Sequence, residues 1–469
     1  MTHLLHSPMS ELTEKLARKD ISAVELMTTT LARIDETQEA VNAFVALRDA
    51  EACLADARAA DARIASGDAR PLEGIPLGVK DLEDAAGLIT SMGSVPFKNN
   101  EPERDSVQVE RLRLAGAIVV GKTNAPEFGY TAITKNLLFG ATRNPWNLEH
   151  TPGGSSGGSS AAICGGIVTL ATASDGGGSV RIPATFTGCF GHKPSYGRIP
   201  NGPASSWTMD DTAVHGPLTR TVEDAAMHLD AVVGDHPLDP NSLPHPGFRY
   251  RDILDDLPDK LRIGFSPDLG YGVVQSDVAR VVAEAKSVLE SLGHTVETIA
   301  GGPPEPGRDW GLSGAFDLLA KLHPLLPDHE EEFGRGFIRG VQAGASMTPK
   351  LWGHMNARRE ELNRWCADVF DRYDLLLTPT VPYDPPPARG PLTGEVEGRA
   401  QPAANVGSFT MPFNLSWHPA ATVRAGFSDA GLPVGLQIVG PRLRDERVLQ
   451  AARAFEREQP WQTWPELSS

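Results

Sequence analysis

Three consecutive glycines, Gly176-Gly177-Gly178, run directly into Ser179. Serine is a weak nucleophile by itself and needs a base to take its proton before it attacks a carbonyl. Glycines let the backbone turn so that successive N–H groups converge, and such a nest can hold the oxyanion formed in that attack. The stretch therefore suits nucleophilic acyl chemistry. Histidine is the usual base, and His150 and His192 are the nearby candidates. A lysine serves instead where burial lowers its pKa, and Lys80 stands at the end of the short apolar run Gly74-Ile75-Pro76-Leu77-Gly78-Val79-Lys80-Asp81. Spacing alone leaves all three open.

A second glycine-serine stretch, Pro152 to Ser160, lies upstream. Read as a flexible linker, it would lead into a helix-to-strand unit in mid-domain, which linkers rarely do. Read as a phosphate loop, it has Ser159 and Ser160 where a Walker A motif has Lys followed by Ser or Thr, and no GxGxxG is present. Gly153-Gly154-Ser155-Ser156-Gly157 matches the GxSxG of a nucleophile elbow. An elbow needs a strand directly before it, however, and Asn147–Pro152 is turn-like, with a proline that cannot donate a ladder bond.

These residues need elements to position them. Ile167–Ser174 reads as a buried strand that delivers the triple glycine. Ser22-Ala23-Val24-Glu25 is a capping box opening a helix with Val24, Met27, Leu31 and Ile34 on one face. An alanine-rich helix is expected over roughly 47–66. Another is expected over 106–115, stopped by Gly116 and followed by the strand Ala117–Val120. Val278, Val281, Val282, Ala285, Leu289 and Leu292 form a helix face ahead of the strand Thr295–Ile299, and Asp374–Thr378 is a further apolar stretch. This alternation predicts an α/β architecture.

The 469 residues carry 43 Lys and Arg against 60 Asp and Glu, a net charge of −17, which argues against nucleic acid or an anionic membrane as the main partner. The four cysteines, Cys53, Cys164, Cys189 and Cys366, form no CxxC pair, so neither a zinc ribbon nor a disulfide framework is expected. No secretory leader is expected, and the longest weakly polar run, Ala161–Ala173, is too short to span a bilayer. These readings together predict a cytoplasmic protein with no metal and no cofactor.

Taken together, the motifs resemble those of the amidase signature family of serine hydrolases. The resemblance rests on Gly74–Asp81, Gly121–Phe128, Phe139–Trp146, the glycine-serine stretch, Asp175–Pro183, Lys193–Arg198, Gly216–Val222 and Gly431–Gly440, and it covers most of the chain. It implies one large α/β domain over 1–469, with a central, mostly parallel mixed β-sheet covered by helices on both faces. Within it, N-terminal helices would occupy about 8–68, a catalytic core about 70–235, a variable pocket region about 236–400 and a return to the core about 401–469.

The same resemblance implies Ser179 as nucleophile and Lys80 as base. Ser155, 24 residues before Ser179, would be the bridging serine after a cis Gly154–Ser155 peptide. Neutral Lys80 would take a proton from Ser155 as Ser155 takes one from Ser179. Ser155 would then protonate the leaving nitrogen, and water would hydrolyse the acyl-enzyme. The N–H groups of Gly176, Gly177, Gly178 and Ser179 would form the oxyanion hole, with Asp175 and Arg181 bracing the loop. Gly129 would line the acyl site, and Arg198 would sit in a mobile loop near the pocket. Two departures stand out: Gly176 replaces a threonine found in many relatives, and Trp417 and His418 stand where relatives often have a glycine and a polar amide, a change expected in the pocket or in core packing.

The pocket is expected from variable stretches: Ser205–Met209, Ala315–Lys321 and the region around Trp352. Trp207 and Met209 would make an apolar wall suited to aryl or alkyl groups. The resemblance thus implies a monomeric or homodimeric amidase cleaving carbon–nitrogen bonds of small amides, anilides or carbamates (a urethanase or aryl acylamidase type), without nucleic-acid or membrane partners. One alternative is the glutaminase component of a tRNA-dependent amidotransferase. The other is a non-catalytic binding protein on the same fold, which the intact Lys80, Ser155 and Ser179 argue against.

Overall fold

Five residues buried without a break, Pro76–Lys80, set the scale of the sheet that carries the site. Side chains alternate between the faces of a strand, so a strand buried at every position is covered on both. Ile118–Thr123, Leu375–Pro379 and Pro433–Val439 share that property. The computed structural model describes residues 4–202, 211–461 and 464–467.

Eleven strands make one sheet: β1 (Phe44–Leu47), β2 (Pro76–Lys80), β3 (Ile118–Thr123), β4 (Leu170–Asp175), β5 (Phe190–Lys193), β6 (Val214–Thr219), β7 (Arg262–Phe265), β8 (Thr295–Thr298), β9 (Leu375–Pro379), β10 (Ala420–Phe427) and β11 (Pro433–Val439). Their spatial order is β1-β3-β2-β4-β6-β5-β10-β11-β9-β7-β8. The sheet is mixed. β2 pairs parallel with β3 and β4, and β7 pairs parallel with β8 and β9. Between these blocks, and at β1, the pairs are antiparallel. The difference follows from the connections. Parallel neighbours need long crossovers, supplied here by helices such as Val107–Leu114 before β3 and Gly157–Cys164 before β4, whereas β10 and β11 are joined by a short turn at Gly431.

Several boundaries move from their expected places. The alanine-rich helix starts at Ala50, because the Asp49 carboxylate caps it by accepting from the Ala52 N–H, which leaves Phe44–Leu47 to form the edge strand. The strand leading to the triple glycine begins at Leu170, because Ile167 still closes the preceding helix by donating its N–H to the Ala162 carbonyl. The capping box behaves as expected: Ser22 Oγ accepts from the Glu25 N–H at 3.0 Å. All four cysteines are buried and free. Among the described residues, no helix is long and apolar enough to cross a membrane, and no cluster of His, Cys, Asp and Glu is arranged to hold a metal ion.

Candidate active site

Lys80 ends β2 in the middle of the sheet and is 1% exposed. Its backbone N–H is held by Thr172 Oγ1 on the neighbouring β4 at 3.0 Å, which fixes where the side chain starts. Its Nζ then meets three hydroxyls: Ser155 Oγ at 2.8 Å, Ser156 Oγ at 2.8 Å and Ser174 Oγ at 2.9 Å. Burial pushes the ammonium pKa down to about 7, against the opposing pull of Asp175 and Glu83. A neutral amine has two N–H donors and one lone pair, so three surrounding hydroxyls can satisfy it completely.

The hydroxyl-bearing segment lies between the Pro152 turn and the helix Gly157–Cys164, and its Gly154–Ser155 peptide is cis. It is laced to the loop after β4 by the Ser156 N–H, which donates to the Ser179 carbonyl at 3.3 Å. Ser155 is buried, and Ser179 is half-buried. Gly129 presses on the same serine. A Cβ added there would lie 3.1 Å from Ser155 Oγ and 2.8 Å from Leu82 Cδ1, at a φ of +72° that favours glycine.

The triple glycine follows β4 directly. The N–H groups of Gly176, Gly177 and Ser179 have no acceptor among the described residues, so three donors are free to face one point. Gly178 departs from expectation. Its N–H donates to Asp175 Oδ1 at 2.7 Å and is not available for an oxyanion. The reason is the bracing carboxylate itself, which turns back under the loop and also collects the N–H of Val180 at 3.1 Å. Asp175 and Arg181 form a completely buried bidentate pair, with Nε to Oδ2 at 3.0 Å and Nη2 to Oδ1 at 2.9 Å. Burial alone would raise the Asp175 pKa, but the Arg181 charge and its hydrogen bonds hold it well below the usual carboxylate range. The remaining Arg181 donors reach the Thr410 carbonyl, Gln437 Oε1 and Asn414 Oδ1.

The histidine candidates lie elsewhere. His150 turns its Nδ1 to the Pro385 carbonyl, and His192 places Nε2 3.4 Å from Asp445. Arg198, expected in a mobile loop near the pocket, sits in an interior ion pair. It is buried, with Nε 3.3 Å from Asp445 Oδ2 and Nη1 on the Pro244 carbonyl, because the Asp445 carboxylate needs a cation in the interior. Trp417 stacks on Tyr196 at 4.7 Å, and His418 stacks on Phe370 at 4.9 Å, so both serve packing. Trp207 and Met209 lie outside the described residues.

Several residues near the nest carried no local signal. Trp310, on the helix Gly307–Leu322, donates its indole N–H to the Gly176 carbonyl at 2.8 Å. Thr410 and Asn414 reach the loop from more than 230 positions away. Beside the nest opens a pocket lined by Thr212, Trp310, Ser313, Phe316, Trp352 and Leu415. Phe316 and Trp352 fall in two of the stretches expected to build it.

Known proteins resemble this chain along almost its whole length. A family model described as Amidase matches residues 25–449. The acylamidase of Rhodococcus erythropolis is 35% identical over 469 residues, covering 96% of this chain and 95% of its own. A glutamyl-tRNA(Gln) amidotransferase component of Geobacter sp. (strain M21) is 34% identical over 482 residues, covering 96% of this chain and 97% of its own. The crystal structure of a bacterial aryl acylamidase belonging to the amidase signature enzymes superposes with a TM-score of 0.91 at 30% identity, covering 97% of this chain and 96% of that one.

Proposed function

The chain belongs to the amidase family, and from that premise we propose that it hydrolyses small aryl and alkyl amides and anilides through Ser179, Ser155 and Lys80. The observation that carries the reading is the buried Lys80 Nζ held 2.8 Å from Ser155 Oγ, next to a loop with three N–H donors that have no acceptor among the described residues. Lys80, in the neutral form that its pKa of about 7 makes accessible, takes a proton from Ser155 while Ser155 takes that of Ser179. Ser179 Oγ attacks the carbonyl carbon, and the charge that develops on oxygen meets the N–H groups of Gly176, Gly177 and Ser179. The proton returns through Ser155 to the leaving nitrogen, which departs as an amine. Water then cleaves the acyl-enzyme along the same relay.

The aromatic pocket at Trp310, Phe316 and Trp352 supports planar or apolar groups in the substrate. A panel of alkyl amides, anilides, esters and carbamates, assayed on the isolated chain, tests this reading. Turnover of anilides is expected, and a protein inert on all four classes overturns it. The amidotransferase likeness favours a second reading, a glutaminase working inside a larger complex. That reading requires glutamine to be the preferred amide and activity to depend on partner chains. A fluorophosphonate probe separates both from a non-catalytic binder, in which Ser179 stays unlabelled.

Gly129→Ala tests how tightly Ser155 must be held. The new methyl group strains the backbone and pushes on Ser155 Oγ, so kcat/KM on an anilide is expected to fall by about 10–100-fold. Kinetics within about twofold of wild type show that the serine tolerates the displacement.

A further inference from the structure

We infer that Trp310 is a positioning residue for the oxyanion hole, acting through the peptide plane between Gly176 and Gly177. The inference rests on the amidase reading of Ser179. In a trans peptide the C=O and N–H groups point in opposite directions, so a hydrogen bond to the carbonyl of one residue aims the N–H of the next.

Each of the four planes of this loop is fixed in that way. Asn414 Nδ2 donates to the Asp175 carbonyl at 2.9 Å, which aims the Gly176 N–H. Trp310 Nε1 donates to the Gly176 carbonyl at 2.8 Å, which aims the Gly177 N–H. Thr410 Oγ1 donates to the Gly177 carbonyl at 2.6 Å, and the matching Gly178 N–H goes to Asp175. The Ile182 N–H donates to the Gly178 carbonyl at 2.7 Å, which aims the Ser179 N–H. Three of these planes present donors with no acceptor among the described residues, and the plane of the Gly177 donor is held by the indole.

The contact is also steric. A Cβ added at Gly177 would come within 2.4 Å of Trp310 Cζ2, so the ring lies directly against the nest. A donor on the carbonyl side also polarises the peptide and strengthens its N–H toward an anion. Trp310 comes from the same helix that supplies Phe316 to the pocket, so one element carries both a wall of the binding site and a determinant of its oxyanion geometry.

Trp310→Phe keeps a ring and removes the N–H. A variant with 3-benzothienylalanine at position 310 keeps the shape of the indole as well, and it serves where the phenylalanine protein folds poorly. Both are measured with an anilide substrate, with a trifluoromethyl ketone that forms a tetrahedral oxyanion on Ser179, and with the corresponding alcohol, which forms none. We expect kcat to fall by about 10–100-fold, since loss of a whole oxyanion donor typically costs about 100–1000-fold. The ketone should weaken by a similar factor while the alcohol and KM hold. Equal weakening of ketone and alcohol makes Trp310 a pocket wall only and overturns the inference, as does wild-type kcat in the benzothienyl variant. Ser179→Ala is the control: if it binds the ketone as tightly as wild type does, the amidase reading itself fails.

Discussion

Ser179→Ala is expected to lower kcat on an anilide by about 10⁴-fold or more, because removing the nucleophile of a relay leaves only binding and oxyanion stabilisation. The fold should survive the change. Ser179 is half-buried, and its backbone carbonyl, which accepts from Ser156, is retained. KM should stay near wild type while the covalent ketone adduct and labelling by a fluorophosphonate disappear. Robust turnover in this variant removes Ser179 from the chemistry, and with it the whole reading of the loop.

Lys80→Ala is expected to lower kcat by about 10²–10⁴-fold, the usual range for a positioned general base. The pH profile gives a sharper test than the loss alone. Burial brings the Lys80 pKa from the ordinary lysine range to about 7. Only the neutral amine can accept a proton, so kcat/KM should rise with pH through about 7 and flatten above it. The sign is opposite for an acid that must stay protonated. Lys193 is also buried and pushed down to about 7, but its Nζ donates to the Pro194 carbonyl at 2.9 Å. Among the described residues it makes no hydrogen bond to Ser155 or Ser179, so the acid limb should survive Lys193→Met. A Lys80→Ala protein that keeps the same limb, or more than about a tenth of wild-type kcat, shows that another group is the base.

The stability of the free protein follows the same ionisation. Between pH 7 and 10.5 the unfolded chain holds a proton on Lys80 that the folded chain has released. Unfolding therefore takes up protons in that window, and the contribution of Lys80 to stability rises with pH across it.

The amino-acid sequence by itself determined the kinds of groups available and much of their local setting. Glycines before Ser179, an apolar run into Lys80 and helix faces such as Val278–Leu292 are short-range patterns, and burial periodicity records them directly. Those patterns left His150, His192 and Lys80 equivalent as bases, and the family resemblance, not spacing, separated them. Tertiary structure decided which of them meets Ser155, a contact across 75 positions made where the loop before the helix Gly157–Cys164 meets the end of β2. It also decided that the Gly178 N–H turns to Asp175, and that Trp310 and Asn414 pin the loop from 134 and 239 positions away. The physical reason is that periodicity reports which face of an element is buried. It does not report which other element lies against that face, and that depends on strand order and crossover packing over the whole chain.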